Sequence, residues 1–149
     1  MARYSGSVIS LTPSLTDDNW NLRAGAAKSG KILEVWFGGQ ATTSTGMQTR
    51  VARASGQTGS ATAGNVEKLH PNAAGNGMGF ATTFATTQPT LEAGNLFATS
   101  WNAHGGVVRW LAAPGEEFVL IGAATELTIA CRNSVGTAVS DYGCVWEED

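Results

Sequence analysis

Two histidines and two cysteines are the side chains of this chain best suited to chemistry. Neither His70 nor His104 has a partner His, Cys or carboxylate at ligand spacing, so the sequence offers no dedicated zinc site. His104, between Asn102 and Gly105-Gly106, reads as a turn residue. A catalytic histidine needs a nucleophile and an orienting acid beside it in space, and no Gly-x-Ser-x-Gly elbow marks such a nucleophile. Gly75-Asn76-Gly77-Met78-Gly79 is glycine-rich, but it lacks the Gly-Lys-Ser/Thr ending of a phosphate loop and no strand-to-helix unit surrounds it. No catalytic, cofactor-binding or metal-ligating residue is therefore expected, no cofactor is implied, and the chain does not read as an enzyme.

The remaining candidates have bland readings of the same kind. In a hairpin centred near Gly136, Cys131 would face a residue near Asp141 rather than Cys144. Both cysteines also sit among apolar residues, so they are expected to be buried free thiols. Arg50 and Arg53 fall on alternating faces of one strand; they could meet an acidic partner, but solvated surface charges are the simpler reading. Glu147-Glu148-Asp149 reads as an exposed acidic tail. Of the five tryptophans, Trp36, Trp101 and Trp110 have apolar neighbours and read as core. An exposed aromatic platform for a saccharide is the second reading of them.

Composition narrows the function classes. The chain has 149 residues, enough for one domain with a substantial core. Charged residues make up 14%, below the usual quarter, and glycine is abundant at 19 residues. Such a surface is expected to be covered by other subunits or by hydroxyl groups. A net charge of -3 argues against a nucleic-acid partner, which calls for a basic face. The longest apolar run, Phe118 to Ala124, is far below a membrane span. The opening MARYSGSVISLTPSLT has no apolar core of signal-peptide length, so the protein is expected to be made and kept in a cytoplasm, or released from one by lysis.

The elements that would position these residues are strands. Ala2 to Leu11 forms a first strand with Tyr4, Gly6 and Val8 on one face, broken by Thr12-Pro13-Ser14. Thr16 to Asn19 reads as a turn, and Trp20-Asn21-Leu22 as a short strand. Lys31 to Phe37 is nearly continuously apolar and predicts a strand covered on both faces. Met47 to Ala54 alternates as a half-buried strand does. Ser55 to Gly79 is a long glycine-rich stretch of the kind that is functional or interface-forming, within which Asn65 to His70 suits a helical turn or a strand edge. Phe80 to Thr87 resumes the period of two. From Phe97 to Trp146 five short strands follow, separated by glycine- or proline-bearing breaks. Roughly nine or ten strands and no long amphipathic helix predict an all-β fold, a jelly-roll-like β-sandwich in a single domain spanning 1–149. Residues 1–13 would form a possible N-terminal arm and 55–79 a long loop. An immunoglobulin-like sandwich is second, since Trp146 follows both cysteines and breaks the Cys–Trp–Cys order.

The segments WNAHGGVVRWLAAPGEEFVLIG (101–122) and TIACRNSVGTAVSDYGCVWEED (128–149) resemble a small structural protein of tailed bacteriophages, of the cement or decoration type found outside phage heads. The resemblance extends to the low-charge, Gly/Ala/Thr-rich style of the whole chain and carries no functional residue with it. It implies a β-rich, non-enzymatic homotrimer assembled in the host cytoplasm. The partner would be the major capsid protein, with the protein residing on the virion capsid surface. The alternative is a carbohydrate-binding jelly-roll module of a fibre or lectin type.

Overall fold

The structure, a computed structural model, describes residues 1–25, 28–55, 61–73, 77–84, 88–122 and 128–149; of residues 61, 62, 83 and 84 it describes the backbone alone. Among these residues there are thirteen strands and no helix. They are β1 (Ala2–Leu11), β2 (Trp20–Arg23), β3 (Ser29–Gly39), β4 (Gly46–Ser55), β5 (Ala61–Ala63), β6 (Asn65–Lys68) and β7 (Gly79–Phe84). There follow β8 (Thr90–Leu91), β9 (Phe97–Asn102), β10 (Val107–Leu111), β11 (Phe118–Ile121), β12 (Thr128–Val135) and β13 (Ser140–Glu148).

Two antiparallel sheets pack face to face. The first runs β10-β3-β13-β1-β6 with β11 also on β3, and the second β5-β7-β2-β12-β4-β8 with β9 also on β4. A frame stands out in this order: β1-β13-β3-β10 lies against β2-β12-β4-β9. Successive frame strands alternate between the sheets except β4 and β9, which pair directly. That path is the jelly roll. β5 to β8 are an insertion between β4 and β9, and β11 is one between β10 and β12.

The inner faces close on aromatic rings. Tyr4 of β1 stacks on Trp146 of β13 at 5.8 Å, Trp146 on Phe80 of β7 at 5.8 Å, and Phe80 on Trp20 of β2 at 6.0 Å. This column joins one sheet to the other. Gly6 makes room for it, since a Cβ there would come within 2.7 Å of the Phe80 ring. Beside the column, Phe37 of β3 packs against Trp101 and Tyr142, and Trp110 stacks on Phe118 at 4.1 Å. Each fully buried large apolar side chain contributes about 1.5–3 kcal/mol, and each ring pair adds roughly 0.5–1.5 kcal/mol.

A polar cluster fixes the register of the sheets inside this core. The Asn133 side-chain oxygen Oδ1 accepts from Asn19 Nδ2 at 2.9 Å, Thr49 Oγ1 at 2.9 Å and, across the sandwich, the Tyr142 hydroxyl at 3.2 Å. Thr49 in turn accepts from Trp101 Nε1 at 2.9 Å. A network of this kind specifies one packing because each unmade bond would leave a desolvated group. Burial pushes the Tyr142 phenol up to about 12.

Four expectations are corrected here. Residues 1–13 are not an arm: β1 pairs with β13 on one side and β6 on the other, Tyr4 is buried, and so is Pro13. The 55–79 stretch contains β5 and β6, with 56–60 and 74–76 outside the described residues. β12 and β13 are not a hairpin, because they belong to opposite sheets. β3 is covered on one face only. Leu33 is bulged out of the pairing with β13, so Ile32 and Val35, three residues apart, both face the core. Lys31, Glu34 and Trp36 face outward and are partly exposed.

Candidate functional site

The histidines and cysteines do not come together. His104 sits in the turn before β10, with Nδ1 hydrogen-bonded to the Ala41 carbonyl at 2.9 Å. His70 is exposed after β6, where its Nδ1 accepts weakly from the Asn72 amide. Cys131 and Cys144 are free and fully buried. Desolvation raises both thiol pKa values, leaving them protonated and without nucleophilic character. Among the described residues no group of three His, Cys, Asp or Glu side chains is placed to hold a metal ion.

The acidic C-terminus is built into the fold rather than trailing from it. Glu147 meets Arg3 at 2.8 Å and Lys31 at 3.6 Å, and the Arg3 contact holds its carboxyl below the usual range. Glu148 is buried and accepts from the Gly77 amide at 2.8 Å, the Met78 amide at 3.2 Å and Trp146 Nε1 at 3.0 Å. Gly77 and Met78 thus hold a carboxyl group of the chain's own. A pocket of about 380 Å³ beside it is lined by Met1, Tyr4, Lys28, His70, Glu148 and Asp149, among others. Glu148 already has three donors there, which makes it a structural acceptor.

Two surface regions remain. The first is the edge of the first sheet. β10 and β11 lie end to end along β3, and their outward side chains Val107, Leu111, Val119 and Ile121 are 78%, 58%, 42% and 51% exposed. Trp36 lies one strand inward, half-buried, its indole laid over Gly143, where a Cβ would come within 2.4 Å of the ring. Arg109, also on this edge, is held by a two-pronged contact to Glu34 at 2.6 and 3.0 Å.

The second region is a trough on the outward face of the second sheet. Arg50 of β4 and Arg132 of β12 are direct cross-strand partners. They line an open cavity of about 620 Å³ with Leu15, Gln88, Pro89, Thr90 and Ser134, among others. Arg132 pairs with Asp18 at 2.7 Å and also donates to the Pro89 carbonyl at 3.1 Å. Burial pushes the Asp18 carboxyl up to about 6, against the opposing pull of Arg132. Arg50 donates from Nη2 to the Glu92 carbonyl at 2.8 Å, and its buried Nε finds no protein acceptor.

No family model, curated protein or solved structure matches this chain.

Arg50 and Arg53 do diverge, as their spacing requires; Arg53 crosses to the Val119 carbonyl at 2.9 Å. Trp101 is core and Trp110 is partly buried against it, but Trp36 is on the outside of its sheet. The Arg50–Arg132 pairing carries no local signal, because the two arginines lie far apart in the chain on strands whose register only the fold sets. Asp18 and Glu148 are likewise ordinary polar residues in sequence, made special by partners far along the chain.

Proposed function

We propose that the protein is a non-enzymatic virion structural protein of the cement or decoration type, a homotrimer seated on the outside of a phage head against the major capsid protein. The observation that carries this reading is the apolar edge formed by Val107, Leu111, Val119 and Ile121. Natural sheet edges are kept apart by charge, proline or bulges. Here the charge on β10, Arg109, is tied back to Glu34, and four aliphatic side chains face outward. Exposed apolar surface grouped in this way marks a protein contact. In a ring of three the subunits meet head to tail, so this patch would seat against a different surface of the neighbouring subunit. Several of the side chains with catalytic potential have structural tasks: His104 pins a turn, Glu148 ties two amides and an indole, and both thiols are buried.

The test is light scattering and co-sedimentation with assembled phage shells, for the native chain and for Leu111→Asp. Leu111 is exposed, so its replacement should leave the sandwich folded. The native protein is expected to be a trimer that sediments with shells, and the variant a monomer. A native monomer that stays in the supernatant overturns the reading.

Carbohydrate binding is the second reading, and Trp36 is the observation that favours it. A half-buried indole on an outward sheet face, beside Arg109 and Glu34, offers a stacking surface for a sugar ring. Saturable quenching of tryptophan fluorescence by a glycan, lost in Trp36→Ala, would support it; a flat titration would remove it.

A further inference from the structure

We infer that the trough on the second sheet is a binding site for a carboxylate group, held between Arg50 and Arg132. Like charges placed directly opposite each other across a strand pair destabilise a sheet, yet these two arginines are register partners with Val51–Cys131 and Thr49–Asn133 on either side. Arg132 is compensated, since Asp18 accepts from both its Nε and Nη2 at 2.8 and 2.7 Å. Arg50 is not: among the described residues no carboxylate lies within ion-pair distance of it. Its one hydrogen bond goes to the neutral Glu92 carbonyl, leaving most of a five-donor fork unused. Its Nε is buried without a protein acceptor, so the donors left for a ligand are those of the Nη groups.

The charge balance selects the ligand class. Two guanidinium groups and the Asp18 carboxylate leave a single net positive charge on the floor. A carboxylate carries one negative charge and matches the planar fork of arginine with two parallel bonds. A phosphate or sulfate, nearer two charges, exceeds what the site neutralises. The walls add Ser134, Gln88 and Thr90, neutral donors suited to the polar atoms next to a carboxylate. The opening is wide enough for the group to arrive on a larger scaffold. The inference does not rest on the assembly reading, whose apolar edge belongs to the other sheet.

Nitrogen-15 spectra of the arginine Nε–H groups provide the test. Acetate, glucuronate and a short glutamate peptide are titrated into the full-length protein at pH 7, with sulfate and acetamide as controls. The expected result is a saturable shift of the Arg50 and Arg132 signals by a carboxylate, with sulfate weaker and acetamide silent. Arg50→Lys keeps the charge but not the fork, and should weaken binding roughly tenfold; Arg50→Gln should abolish it. Unchanged melting temperatures in the variants confirm that the fold is retained. Tighter binding of glucuronate or of the peptide than of acetate supports the site and assigns the scaffold; equal binding assigns a free small acid. If no carboxylate gives a saturable shift, if sulfate binds more tightly, or if Arg50→Lys binds like the native protein, the inference is overturned.

Discussion

Trp146 and Glu148 lie two residues apart on the inward side of β13, and the indole donates to the Glu148 carboxylate at 3.0 Å. The same carboxylate caps the Gly77 and Met78 amides, so it ties an interior ring of the aromatic column to the segment that leads into β7. Glu148→Ala removes a buried acceptor from three donors at once. It is expected to lower stability by roughly 2–4 kcal/mol, read as a fall in the urea midpoint without a change in slope. A shift no larger than that of an exposed-site control such as Glu116→Ala would contradict this assignment.

Deleting residues 1–11 should unfold the chain rather than trim an appendage. The deletion takes away the central strand between β13 and β6, and with it Tyr4 at the head of the ring column. Tyr4→Ala alone should cost about 3–5 kcal/mol. A truncated chain that keeps the native near-ultraviolet circular dichroism would show that β1 is dispensable after all.

The stability of the protein should carry an unusual acid-side slope from Asp18. Its folded pKa, about 6, lies above the ordinary value of 3.8 because burial outweighs the attraction of Arg132. The native state therefore binds the proton more tightly than the unfolded chain does. The resulting stabilisation is complete below about pH 4 and disappears as pH rises through about 6, on the order of 3 kcal/mol in all. Glu147 works in the opposite sense: its lowered pKa adds stability above 4.5 that is lost as pH falls. Subtracting the urea-unfolding profile of Asp18→Asn from that of the native protein isolates the first effect. A flat difference between pH 4 and 7 would show that Asp18 ionises as it would in water.

Both thiols should be silent in the folded protein and count as two on denaturation without reductant. Each is fully buried and has its pKa raised. Rapid reaction of either one with a thiol reagent under native conditions would place it at the surface.

Much of the frame is legible in the residues themselves. Ala2–Leu11, Trp20–Leu22 and the five strands after Phe97 follow from alternation and from glycine or proline breaks, which are local signals. Which sheet a strand joins is not local. Cys131 and Cys144 suggest a hairpin only because their strands are consecutive, whereas the jelly-roll path sends β13 across the sandwich to lie between β1 and β3. Lys31–Phe37 reads as doubly covered because a bulge at Leu33 breaks its period of two. The trough follows the same rule: Arg50 has a readable face, but its partner comes from a distant strand.

The central claim is that this sandwich assembles through its apolar edge. The most direct measurement is the molar mass of the purified protein by light scattering at micromolar concentration, with and without Leu111→Asp, followed by co-sedimentation with shells. The account predicts three chains per particle and shell-bound protein for the native sequence, both lost in the variant while the circular dichroism is kept. A native protein that is monomeric and remains in solution beside the shells would contradict it.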